Sequence, residues 1–144
     1  MMNIKIAETK NELNDVYAIR KKVFVDEQQV PLSIEIDEHE DVAIHFICYN
    51  SNQEAVGASR LRLLSTYGKL ERICVLSECR GQSIGKQIIQ QMEEKIIKKN
   101  IAKATLNAQT HAIDFYEKLG YTVVSEPFID ASIPHVTMEK QLNT

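Results

Sequence analysis

The residues with the clearest chemical potential are Arg80-Gly81-Gln82-Ser83-Ile84-Gly85-Lys86, which come after the apolar run of residues 70–76 and precede an amphipathic stripe. A strand entering and a helix leaving would place Gly81 and Gly85 at the first turn of that helix. Unpaired N–H groups and the positive end of the helix dipole there favour an anion such as a phosphate or pyrophosphate. Glycine admits close backbone approach and positive φ. The plainer alternative is an ordinary helix start with Ser83 as a local cap. Two other phosphate loops are excluded by spacing. A P-loop needs four residues between its glycines and Ser or Thr after the lysine, whereas here three intervene and Gln87 follows Lys86. The dinucleotide fingerprint Gly-x-Gly-x-x-Gly is absent.

A second stretch lies downstream, Leu106-Asn107-Ala108-Gln109 followed by Ala112-Ile113-Asp114-Phe115-Tyr116-Glu117-Lys118-Leu119-Gly120-Tyr121. Together the two stretches resemble, in order and separation, the central motifs of the GNAT family of acetyl-CoA-dependent N-acetyltransferases. Ser83 departs from the family pattern, which has glycine there. Arg20-Lys21-Lys22-Val23-Phe24-Val25-Asp26-Glu27-Gln28 and Pro134-His135-Val136-Thr137-Met138-Glu139-Lys140 further resemble the ElaA-type subgroup.

The resemblance implies direct acetyl transfer from acetyl-CoA to a primary amine of a small molecule or peptide, with no metal. It implies that the backbone of Ile73, Cys74 and Val75 binds the pantetheine arm, one of their N–H groups serving the oxyanion. Arg80, Gly81, Gln82, Ser83, Ile84, Gly85 and Lys86 would hold the pyrophosphate, with Asn107, Phe115 and Lys118 completing the cofactor site. Tyr116 takes the position of the general acid: a phenol of pKa ~10 stays protonated near neutrality and can protonate a thiolate. For the base, Glu71 on the strand before the loop stands first, with Glu27 and His111 behind it. Glu71 could instead pair with Arg60 or Arg62 across the sheet. A competing function is an acyl-CoA-binding module without turnover, a sensor or subunit; Tyr116 favours the enzyme.

The elements that must position these groups emerge from hydrophobic periodicity. Strands are expected at residues 3–7, 42–49, 54–64, 70–76, 102–106, 121–125 and 135–140. Thr9 or Asn11 caps a first helix carrying Leu13, Val16, Tyr17, Ile19, Arg20, Val23 and Phe24, and Pro31 ends or bends its continuation through Gln28. Ile84, Ile88, Ile89, Met92, Ile96 and Ile97 mark the helix after the loop, and residues 112–119 another ending at Gly120. The parallel pair linked by a helix sets the anion loop at strand ends, where such sheets bind ligands. The fold expected is α+β (α/β): a mixed, mostly antiparallel sheet with helices on both faces, its central parallel strands splayed around acetyl-CoA.

Length and composition agree. With 144 residues, 44% hydrophobic and 26% charged, the chain is expected to form a single domain over residues 1–144. The odd set Cys48, Cys74 and Cys79 forms no disulfide framework, and the four histidines lack metal-ligand spacing. Cys79 beside Arg80 is a candidate nucleophile on thiol chemistry alone, but the family resemblance implies direct transfer. A net charge of −3 without a basic cluster speaks against nucleic acid, and no apolar run is long enough for a membrane span. The expected location is cytoplasmic, with homodimerisation open. Residues 26–41 hold Asp26, Glu27, Glu35, Asp37, Glu38, Glu40 and Asp41 and no Lys or Arg. They are expected either as a solvated loop or as a negative field favouring a cationic acceptor.

Overall fold

The computed structural model describes residues 2–142. Eight strands form one sheet in the order β1-β2-β3-β4-β5-β8-β6, with β7 also on β8. They are β1 (Asn3–Ile6), β2 (Ile44–Tyr49), β3 (Ala55–Leu63), β4 (Gly68–Val75), β5 (Lys103–Gln109), β6 (Thr122–Val123), β7 (Phe128–Asp130) and β8 (Ile133–Gln141). Every pairing is antiparallel except β4 with β5.

Helix α1 (Lys10–Arg20) starts in a reciprocal capping box: Thr9 Oγ1 accepts from Glu12 N at 3.1 Å, and Glu12 Oε1 accepts from Thr9 N at 3.0 Å. It widens into a π-helical segment, Lys21–Glu27, which the periodicity does not announce. Pro31 then starts the short α2 (Leu32–Glu35). Helix α3 (Ile84–Lys98) joins β4 to β5, and α4 (Ile113–Lys118) comes after β5. Asn100 takes φ 61° just beyond α3, where a left-handed residue closes a helix end.

Alternation along β2 and β3 divides the core in two. Val16 and Ile19 of α1 and Val23 of the π-helical segment pack with Ile47, Ala58 and Cys74. On the other face Ile84, Ile88, Ile89, Met92 and Ile96 of α3 join Phe46, Cys48, Leu61, Leu70 and Leu106. Each such buried aliphatic contributes ~1.5–3 kcal/mol of hydrophobic transfer. The α3 contact is close enough to demand glycine: a Cβ on Gly68 would lie 2.5 Å from Ile96 Cγ1.

Departures from the sequence expectations are local. Val42 is 78% exposed and precedes β2. The strand expected at 121–125 shortens to Thr122–Val123, while α2 and β7 were not anticipated. Both additions are short and flank the cleft at the parallel strand ends.

Candidate active site

The site begins where β4 leaves β5. The parallel ladder covers only Gly68–Leu70 against Ala104–Leu106, although β4 continues to Val75 and β5 to Gln109. The register with β3 slips between Ala58 and Arg60, and on the opposing strand Arg72 adopts φ 54°. A bulge with a left-handed non-glycine residue bends a strand and stores strain, so it needs anchoring. Arg72 Nε supplies that anchor, donating to Glu35 O at 3.2 Å and lying 2.8 Å from Glu35 Oε2. The parting strands open a cleft of about 1250 Å³ lined by the π-helical segment after α1, α2, the loop before α3, α4 and the β7–β8 hairpin.

The anion loop forms one end. A 3-10 turn at Ser77–Cys79 leads to Gly81 at φ 86° and Ser83 at φ 62°, after which α3 begins. The first intrahelical bond is Gln87 N to Ser83 O, and no side chain caps the helix. Ile84, Gly85 and Lys86 therefore enter with first-turn N–H groups unclaimed by the helix. A Cβ on Gly85 would meet only Phe115 Cζ at 3.4 Å, and one on Gly81 nothing within 4 Å, so backbone is bare where an anion would rest. Gln82 is exposed in this loop.

Ser83 accounts for the family's glycine in physical terms: the position requires left-handed backbone, and serine holds it at a cost of about 1 kcal/mol or more. Ser83→Gly should raise thermal stability and leave acetyl-CoA affinity equal or higher. Melting and titration of the variant check both; weaker binding would mean that the serine side chain contacts the ligand.

Arg80 is less free than its sequence position implied. Its Nε donates to Val75 O at 3.0 Å, and its two terminal nitrogens donate to Glu27 at 2.7 and 2.8 Å. The bond to Arg80 holds the Glu27 carboxyl below its ordinary value, which weakens Glu27 as a base.

Tyr116 lies between Phe115 and Tyr121, with edge-on ring contacts at 5.0 and 6.0 Å. It lines the cleft, and burial alone pushes its phenol up to about 12. No hydrogen bond joins its hydroxyl to another described residue. Phe115 and Lys118 stand at the same wall, both exposed. Ile73, Cys74 and Val75 line the cleft from β4; Cys74 is buried with its thiol directed at Ala58 O and pushed up to about 12 by burial. Asn107 lines the cleft, but its Oδ1 accepts from Thr137 Oγ1 at 2.9 Å, the strand-end role.

Glu71 does not suit a base. It accepts from Arg62 Nε at 2.8 Å, Arg62 Nη2 at 3.2 Å and Arg60 Nε at 3.1 Å. Burial acts to raise its pKa, yet Arg62, Arg60 and Lys69 outweigh burial and hold the carboxyl below its ordinary value. The cross-strand pairing is what the sequence adopts.

The acidic segment divides: Asp26, Glu27, Glu38 and Asp41 are exposed, as a solvated loop would have them, and the other three carboxylates are not. Glu35 and Glu40 are buried, at 2% and 9% exposure. Arg20, at 0%, donates to both: Nε and Nη2 to Glu35, Nη1 and Nη2 to Glu40 at 2.8 Å each. Arg60, also at 0%, reaches Glu40 at 2.9 Å and Asp37 at 2.7 Å. These carboxylates are spent internally, so no broad negative field faces the cleft. Sequence reasoning missed this network, although Arg20 on an otherwise apolar helical stripe was a signal of it.

A second missed arrangement joins Gln28, Gln109 and His111. Gln109 Nε2 donates to Gln28 Oε1 at 2.8 Å, which turns Gln109 Oε1 towards His111 Nε2 at 2.6 Å. With that oxygen accepting, Nε2 carries the proton and Nδ1 keeps its lone pair. All three residues line the cleft. Among the described residues no group of three or more His, Cys, Asp or Glu could hold a metal ion, and no helix is long and apolar enough to cross a membrane.

A mixed sheet parts at its central parallel pair, and a bare helix start suited to an anion stands at one end of the gap. The chain matches the family model for the acetyltransferase (GNAT) domain over residues 7–142 and belongs to that family. It is 44% identical over 140 residues to the N-acetyltransferase YjcF of Bacillus subtilis, covering 96% of this chain and 99% of that one. Its fold matches an N-acetyltransferase structure from Lactobacillus plantarum with a TM-score of 0.92, 26% identity and 99% of both chains covered. Escherichia coli ElaA matches with 0.86, 22% identity and 98% and 100% covered, a likeness of fold. The protein is thus an acyltransferase of the GNAT family.

Proposed function

We propose that the chain acetylates a primary amine of a small molecule or peptide by direct transfer within this cleft. The observation that carries the reading is the Tyr116 hydroxyl, bonded to no other described residue, on the wall facing the gap where β4 leaves β5. When bound, acetyl-CoA supplies the activated acetyl group and a thiolate leaving group. The chain's part is to place and protonate. First-turn N–H groups of Ile84, Gly85 and Lys86 hold the diphosphate, with Arg80, Gln82, Ser83 and Lys118 nearby. Backbone groups of Ile73, Cys74 and Val75, left without a β5 partner, face the pantetheine arm and the developing oxyanion.

Tyr116 Oη gives a proton to the departing sulfur. His111 Nδ1, oriented through Gln109, takes one from the amine, displacing Glu71 and Glu27 from that role. Phe115 packs beside Gly85. A module that binds acyl-CoA without turnover has no use for an unpartnered tyrosine here.

The test is thiol release from acetyl-CoA across a panel of amines. Release should require an amine, and His111→Ala should lower kcat about ten- to ten-thousand-fold with acetyl-CoA affinity retained. Wild-type kcat in that variant would remove His111 from the base role; no amine-dependent release at all would defeat the transferase reading.

A further inference from the structure

At the end of the cleft away from the anion loop, Arg62, Lys69 and Arg72 line the wall together with Glu35, Asp37 and Glu71. Arg20, Arg60, Arg62, Lys69 and Arg72 face Glu35, Asp37, Glu40 and Glu71 in one connected cluster. Every one of these carboxylates is bonded to arginine: Glu35 to Arg20 and Arg72, Asp37 and Glu40 to Arg60, Glu71 to Arg62. The donors are not all spent. Lys69 Nζ makes no hydrogen bond to a described residue, and the nearest carboxylate oxygen, Glu71 Oε2, is 3.7 Å away. Arg72 uses Nε and Nη2 on Glu35, Ile34 and Asp37 and leaves Nη1. Both side chains are 24% exposed and line the cleft; Lys69 ends the chain of ion pairs Lys69–Glu71–Arg60–Asp37–Arg72, and Arg72 closes that chain into a ring through Glu35, Arg20 and Glu40. Asp130, on the facing β7–β8 hairpin, is exposed and lies outside the chain.

We infer that the acceptor is an amine that also carries a carboxylate, an amino-acid-like small molecule whose carboxylate binds Lys69 Nζ and Arg72 Nη1. The inference rests on the N-acetyltransferase reading and names its substrate class. Charge-assisted bonds to a carboxylate are the strong kind, and an arginine edge fits one well. The unspent Lys69 ammonium and Arg72 edge beside the amine also favour its neutral, nucleophilic form over the ammonium. A cationic acceptor would meet the opposite on both counts. Ile34, whose carbonyl accepts from Arg72, lines the cleft with Phe24 and Val30, so the side chain that best fills it is apolar.

The test compares leucine, methionine and phenylalanine with their amides as acceptors in thiol release from acetyl-CoA. The amides have less basic amines, so intrinsic reactivity favours them and any preference for the acids must come from the protein. The acids should have the higher kcat/KM by roughly tenfold or more, the effect of one charge-assisted bond. Lys69→Met should bring the ratio towards one by raising KM for the acids, Lys69→Arg should largely keep it, and neither should change KM for acetyl-CoA. Amides or simple amines as good as the acids, or a ratio untouched by Lys69→Met, would overturn the carboxylate inference and leave the transferase standing. No release with any amine would overturn both.

Discussion

Tyr116→Phe should lower kcat by about ten- to ten-thousand-fold and leave acetyl-CoA affinity nearly intact. The change removes one oxygen and keeps the ring that touches Phe115 and Tyr121. Because that hydroxyl bonds no other described residue, its loss strands no buried partner, and stability should change little. Proton donation to sulfur matters only as the thiolate forms, so the loss belongs to the transition state rather than to binding. The phenol, pushed up to about 12, stays protonated across the working pH range. The wild-type enzyme should accordingly lose no activity through Tyr116 on raising pH to about 10, near the ordinary phenol value. A full-rate phenylalanine variant would mean that water or another group protonates the sulfur.

Arg20→Ala should destabilise the fold by roughly 3–5 kcal/mol, since it leaves buried Glu35 and Glu40 without their shared partner. The cluster also predicts how stability depends on acid. Burial opposes ionisation of Glu40, but Arg20, the Asp37 N–H and Arg60 outweigh it and lower its pKa from 4.5 to about 2. Asp37, against the same burial, is lowered from 3.8 to about 2 by Arg60, the His39 N–H and Arg72. A carboxyl depressed in the fold contributes stability that is complete above its ordinary pKa and is lost as pH falls through the folded value. Wild-type stability should therefore fall between pH 4.5 and about 2, and less steeply in Arg20→Ala, where Glu40 titrates nearer its ordinary range. Urea unfolding at a series of pH values measures both slopes; parallel curves would show that Arg20 does not set the Glu40 titration.

The difference between what was legible and what was not has a physical pattern. Periodicity and capping are local, so the α3 stripe from Ile84 to Ile96, a cap at Thr9 or Asn11 and the parallel β4–β5 pair were readable from neighbours in sequence, and the structure chooses Thr9. The two glycines at the start of α3 and Tyr116 beside Phe115 were readable from short motifs. The acidic segment was not, because its meaning depends on Arg20, Arg60 and Arg72, distant in sequence and brought together by α1 packing over β3 and β4. Glu71 illustrates the same point at one residue: alternation told which face it points to, and only the arginines there tell that its oxygens are taken. The Gln28–Gln109–His111 chain joins residues 81 apart at its first bond, beyond any window of pattern.

The central claim, that acetyl-CoA lies against the bare first turn of α3 in the gap between β4 and β5, is tested most directly by calorimetric titration of acetyl-CoA into wild type and Gly85→Asp. The site of substitution is open apart from Phe115 Cζ at 3.4 Å, so the variant should fold, while its carboxylate would occupy the place of the diphosphate. Wild type should bind saturably with one site, and the folded variant should lose at least about tenfold in affinity, the effect of replacing favourable helix-end donors by a like charge. Equal affinity in the two proteins would contradict the account.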